Sequence, residues 1–114
     1  MSDRDYIDYL LDMQDACKKS TDFIQGLDYN TFVTDAKTIY ALIRCFEIIG
    51  EASTKIPEQI KKLHADIPWR YMSSMRNKLI HEYYGVDVKI IWKTVTEEIP
   101  GLTSKIDNLI IKLG

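Results

Sequence analysis

The chain has 114 residues, the size of one domain, and its 46% hydrophobic and 28% charged residues are those of a folded, well-solvated protein. Its net charge of −2 argues against a protein that holds nucleic acid by bulk electrostatics. The charge is unevenly spread: residues 1–35 carry three basic and eight acidic side chains, whereas Arg70, Arg76, Lys78, Lys89 and Lys93 outnumber Glu82 and Asp87 between residues 68 and 93.

The N-terminal "MSDRDYIDYLLDMQD" is acidic where a secretion signal would be basic and then apolar. No apolar run approaches the ~20 residues of a membrane span. A cytoplasmic protein is expected. Ser2 and Asp5 resemble a capping box. Behind them Tyr6, Ile7, Leu10, Leu11, Cys17 and Ile24 recur at three- and four-residue steps, which predicts a first helix closed by Gly26. Asp28, Asn30 and Thr34 are candidate caps for a second, longer helix.

That helix is "DAKTIYALIRCFEIIGEASTKI". Ala36, Ile39, Ile43, Phe46 and Gly50 form one stripe, and Leu42, Cys45, Ile49 and Ala52 another. The two exceed half the circumference, so the helix is predicted to be central to the core. Lys37, Arg44, Glu47, Glu51 and Lys55 occupy the remaining face. This is either a solvated, charge-paired surface or a polar wall beside a site. Gly50 costs ~1 kcal/mol relative to alanine in mid-helix, and close approach by another helix would explain it.

Pro57 and Pro68 suit the first turns of a short helix, "PEQIKKLHA", and of a longer one ended by Gly85. Asp87 can cap the last helix, which runs through Val88, Ile91, Trp92 and Val95, breaks or kinks near Pro100 and Gly101, and resumes with Ile106, Leu109, Ile110 and Leu113. The segment "KIIWKTV" looks strand-like but sits between a cap and a helical continuation. Short connections between long helices predict an all-α antiparallel bundle of four main helices plus short ones.

The stretch "SSMRNKLIHEYYGVD" carries the most chemistry. In a helix Arg76 lies nearly in line with Tyr83, Asn77 shares a face with His81, and Arg76 and His81 stand ~140° apart. Histidine titrates near neutral pH, and arginine presents a planar fork of donors that matches a phosphate. Such a set suits RNA cleavage without a metal, with the ribose 2′-hydroxyl as internal nucleophile. That reaction needs two proton-transfer partners, and the motif holds one histidine. His64, in a short polar helix, is a poor second. A two-fold dimer would bring two copies of Arg76 and His81 to one cleft. An ordinary helix end, with Lys78 and His81 complementing its C-terminal dipole, would also explain these residues. Cys17 and Cys45 lie far apart within helical patterns, without metal-ligand spacing, and read as small buried thiols.

"RNKLIHEY" fits the pattern R-x-x-x-x-H-x-Y and resembles the motif of HEPN ribonucleases in the HepT-like toxin group. "FEIIGEASTKI" resembles that group's Gly-Glu-Ala helix, and "IPWRYMSSMRNKLIHEYYGVDVKIIWKTVTEEIP" resembles its run from an Ile-Pro-Trp helix start into the last helix. The resemblance implies one HEPN domain over residues 1–114, homodimeric, alone or within a larger toxin–antitoxin complex. Arg76 and His81 would be catalytic, with Asn77 and Tyr83 supporting them. Arg44, Glu47, Glu51 and Lys78 are candidates for lining the cleft. RNA would be the substrate, with no metal or cofactor. The partner would be a minimal nucleotidyltransferase antitoxin that adenylylates Tyr83. The alternative is a non-catalytic HEPN module that binds a nucleotide or a protein.

Overall fold

The computed structural model describes residues 5–81 and 87–113, and for residues 77–81 the backbone alone. The described residues form α1 (Tyr6–Phe23), α2 (Tyr29–Phe32), α3 (Ala36–Ser53), α4 (Glu58–Leu63), α5 (Trp69–His81), α6 (Val88–Lys93) and α7 (Ile99–Leu113), with a π-helical turn (Thr94–Glu98) joining α6 to α7. No strand occurs among them. With α6, the π turn and α7 counted as one, the main helices are four, as periodicity predicts.

Capping explains where the helices begin. Asp5 alone caps α1, its carboxylate accepting from the Ile7 N–H at 3.1 Å; Ser2 lies outside the described residues. Gly26, at φ +79°, turns the chain after α1 as expected. The cap of the long second helix is not among those predicted from sequence. Asp28 starts only the four-residue α2 by accepting from the Thr31 N–H at 2.8 Å. Asp35 caps α3, accepting from both the N–H and the hydroxyl of Thr38. Asn30 lies within α2, and the Thr34 hydroxyl donates back to the Thr31 carbonyl instead of capping. Pro57 precedes α4, Pro68 precedes α5, and Asp87 caps α6 by accepting from the Lys89 N–H at 2.9 Å. The proposed stop at Gly85 lies outside the described residues.

Pro100 and Gly101 do not break the last helix; both are helical residues of α7. The irregularity comes just before them. The Ile99 N–H donates to the Thr94 carbonyl, five residues back, in place of the usual four. Proline lacks the N–H for the i→i−4 bond, and its ring crowds the carbonyl four residues earlier, here that of Thr96. A wider turn at that carbonyl accommodates the ring while the helix continues.

The core follows the predicted stripes. Leu10, Met13 and Cys17 of α1 meet Leu42, Phe46 and Ile49 of α3, and Ile91, Val95, Ile99, Leu102, Ile106 and Leu109 extend the cluster along the C-terminal helix. Ala36, at the outer end of its stripe, is exposed. Helix α3 packs against both α1 and α5, while α1 also packs against α7. The Gln14 amide donates to the Asp107 carboxylate at 2.6 Å and ties α1 to α7. The ring of Trp92 packs on Phe32, 4.9 Å between centroids, and anchors the α2 turn against α6. No helix among the described residues is long and apolar enough to cross a membrane.

Candidate functional site

The site is built where α3 crosses α5. Gly50 is the contact point. A Cβ placed there would lie 2.6 Å from the Arg76 Cβ, 2.9 Å from the Arg76 backbone nitrogen and 3.1 Å from the Met72 carbonyl oxygen. Only a residue without a side chain allows this approach. The close helix–helix passage expected from the sequence is therefore real, and the backbone it meets is that of Arg76. One turn further along α3, the Ser53 hydroxyl lies 2.8 Å from that of Ser73 and donates to the Gly50 carbonyl at 2.8 Å.

The close approach brings Arg76 to an acid on the other helix. The Arg76 Nη1 lies 2.7 Å from the Glu51 Oε2. Both side chains are about half exposed, 45% and 49%, so the guanidinium is held yet open to a ligand. Glu51 also lines an open groove of about 210 Å³ with Tyr9, Asp12, Arg44, Glu47 and Ala52. The polar stripe of α3 is thus shared between the two roles weighed from sequence. Arg44 stands 4.0 Å from Glu47 in a loose pair within the helix, while Glu51 reaches across to α5. Tyr9 and Asp12 of α1 were not anticipated. Their three-residue spacing beside the apolar stripe of α1 is the only sequence signal of that polar edge.

Of the other candidate residues, Asn77, Lys78 and His81 fall on the backbone of α5, but their side chains lie outside the described residues, as does Tyr83 altogether. His81 is five positions from Arg76 in a continuous helix, an axial rise of about 7.5 Å. His64 has a structural place: it ends α4, and its carbonyl accepts from the Trp69 Nε1 at 3.0 Å. The thiols are both free and buried. Burial pushes Cys17 up to about 12 and raises Cys45 as well, so neither is a thiolate at neutral pH. Among the described residues, no cluster of three His, Cys, Asp or Glu side chains is arranged to hold a metal ion.

An all-helical bundle with an arginine and a histidine five residues apart on one helix is the architecture of HEPN proteins. The family model described as "Ribonuclease HepT-like" matches residues 13–109, and the chain belongs to that family. It is 49% identical over 106 residues to a protein of Thermococcus cleftensis named "Probable ribonuclease HepT", covering 93% of this chain and 96% of that one. Two proteins named "Putative RNase" are also similar. One, from Caldanaerobacter subterraneus, is 36% identical over 96% of this chain and 95% of its own length. The other, from Methanocaldococcus jannaschii, is 37% identical over the same shares. No solved structure matches the chain significantly.

Proposed function

We propose that the chain is a single HEPN domain over residues 1–114 and a ribonuclease that works as a homodimer in the cytoplasm. The observation that carries this reading is the Arg76 guanidinium, anchored by Glu51 at the α3–α5 crossing yet half exposed, on a helix that places His81 five residues on. The family and the names of its similar proteins support the activity class.

In the proposed reaction a base takes the proton of a ribose 2′-hydroxyl. The 2′-oxygen bonds to the neighbouring phosphorus, and the bond from phosphorus to the 5′-oxygen breaks. An acid protonates the departing 5′-oxygen, leaving a 2′,3′-cyclic phosphate and a 5′-hydroxyl. His81 is suited to the proton transfers, and Arg76 to the charge that builds on the phosphoryl oxygens. Asn77 supports them. A two-fold dimer supplies a second His81, so one copy can act as base and the other as acid. No metal is required by this scheme. In the toxin–antitoxin setting that the family resemblance implies, a nucleotidyltransferase antitoxin attaches AMP to Tyr83 and places a nucleotide and a negative charge where RNA would lie.

The purified protein should cleave RNA in EDTA and leave cyclic phosphate ends. Absence of cleavage on any RNA, together with tight nucleotide binding, would point to a non-catalytic module. The switch has its own test. Incubation with the nucleotidyltransferase and ATP should add one AMP mass to the parent chain and none to Tyr83→Phe, and the modified chain should no longer cleave. An added mass that persists in Tyr83→Phe would move the modification elsewhere, with Tyr84, next in sequence, the first residue to test.

A further inference from the structure

A second groove opens at the N-terminal end of α5, on the side of α4. It measures about 630 Å³ and is lined by Lys61, Lys62, Arg70, Tyr71 and Ser73, with Glu58 its one carboxylate. Lys61 is already engaged: its side chain is largely buried and its Nζ stands 3.8 Å from Glu58. Lys62 and Arg70 are exposed and have no ion-pair partner among the described residues. Tyr71 is 40% exposed although it is aromatic. Two uncommitted cations and an aromatic face therefore share one open groove.

We propose that this groove holds the single-stranded RNA that flanks the scissile phosphate, with Lys62 and Arg70 on its backbone phosphates and Tyr71 stacked on a base. The inference rests on the ribonuclease reading above and extends it to how the substrate is held. Distance supports it. Arg70 and Arg76 are six residues apart on α5 and Arg70 and His81 eleven, rises of about 9 and about 16.5 Å along one helix, so the groove lies within a short stretch of chain from the proposed reacting groups. Ser73, in the groove, is tied to Ser53 at the same helix crossing that positions Arg76. Charge decides the direction of approach. Beside the groove of Glu51 the cations are already paired, Arg44 with Glu47 and Arg76 with Glu51, whereas the α4–α5 groove sets Lys61, Lys62 and Arg70 against Glu58 and attracts a polyanion. Exposed tyrosine beside cations fits a single strand better than an acidic peptide, because every base offers a face for stacking and a carboxylate does not.

The test uses the whole protein and a fluorescent RNA oligonucleotide with 2′-O-methyl riboses, which binds but cannot be cleaved. Lys62→Glu/Arg70→Glu should weaken binding at least tenfold at moderate salt. It should also reduce the slope of log K against log salt by about 1.4, at roughly 0.7 per lost phosphate contact. KM for cleavable RNA should rise in step. Tyr71→Ala should cost about tenfold in affinity and Tyr71→Phe little, since stacking needs the ring and not the hydroxyl. Lys18→Glu/Lys112→Glu makes the same charge change away from the groove and should bind like the parent. Equal weakening in that control would reduce the effect to net charge and overturn the groove. So would an unchanged affinity and salt slope in the groove variant, or displacement of RNA by polyglutamate at equal charge. If the parent cleaves RNA while the groove variant is indistinguishable from it, only this inference falls. A parent that neither binds nor cleaves RNA overturns both.

Discussion

Replacing Arg76 with alanine is expected to lower RNA cleavage by about 10²–10³-fold while leaving the fold intact. The size of the effect is that of removing one preorganised donor from a developing charge. The intact fold follows from the environment of the residue. Its partner Glu51 is 49% exposed, and exposed ion pairs contribute only ~0–1 kcal/mol. The melting temperature should therefore move by a few degrees at most. Arg76→Lys sharpens the test. Lysine keeps the charge but not the planar fork, so it cannot bond a carboxylate through one edge and a phosphate through another. Its activity should fall between those of the parent and the alanine variant. His81→Ala should lose about 10²–10⁴-fold, and because the proposed scheme has both residues act on one bond, the double variant should lose far less than the product. Parental cleavage by folded Arg76→Ala would remove Arg76 from the reaction.

How far the sequence reaches into this fold depends on the range of the interaction concerned. Helix periodicity, the positive-φ turn at Gly26 and the cap at Asp87 are local, and they stand in the structure as they read in the chain. Local signals fail where two of them compete. Asp28 and Asp35 each have a threonine three residues on, and both cap helices, but only tertiary packing decides that the first helix stops at Phe32. Pro100 reads as a break, yet the helix absorbs it by widening one turn, because the apolar face from Ile91 to Leu109 stays continuous with the core. The proposed site divides the same way. Arg76, Asn77, His81 and Tyr83 can be proposed from the sequence because they follow one another along one segment. The Glu51 partner of Arg76, the Ser53–Ser73 bond and the contributions of Tyr9 and Asp12 join residues distant in sequence. No periodicity along one helix specifies its register against another. Gly50 is the exception, since an unfavourable residue in mid-helix implied a close neighbour without naming it.

Gly50→Ala therefore puts the architecture of the site to its strongest test. In an isolated helix the change would stabilise by ~1 kcal/mol. Here the sign should reverse. The added methyl meets the Arg76 Cβ at 2.6 Å and the Arg76 backbone nitrogen at 2.9 Å. Neither atom is the end of a flexible side chain, so α3 and α5 must move apart. Overpacking of this kind costs about 1–3 kcal/mol, and separation strains the Ser53–Ser73 bond at 2.8 Å and the Arg76–Glu51 pair at 2.7 Å. A net loss of about 1–2 kcal/mol should lower the melting temperature of a domain this size by roughly 5–10 °C. Cleavage measured well below that transition should fall too, because the displaced backbone is that of Arg76, and a 1 Å misplacement can cost 10²-fold. Gly50→Val should exceed Gly50→Ala on both counts. A Gly50→Ala protein that melts at or above the parent temperature and cleaves RNA normally would show that α3 and α5 do not meet at this point. In that case the pairing of Arg76 with Glu51 would lose its structural basis.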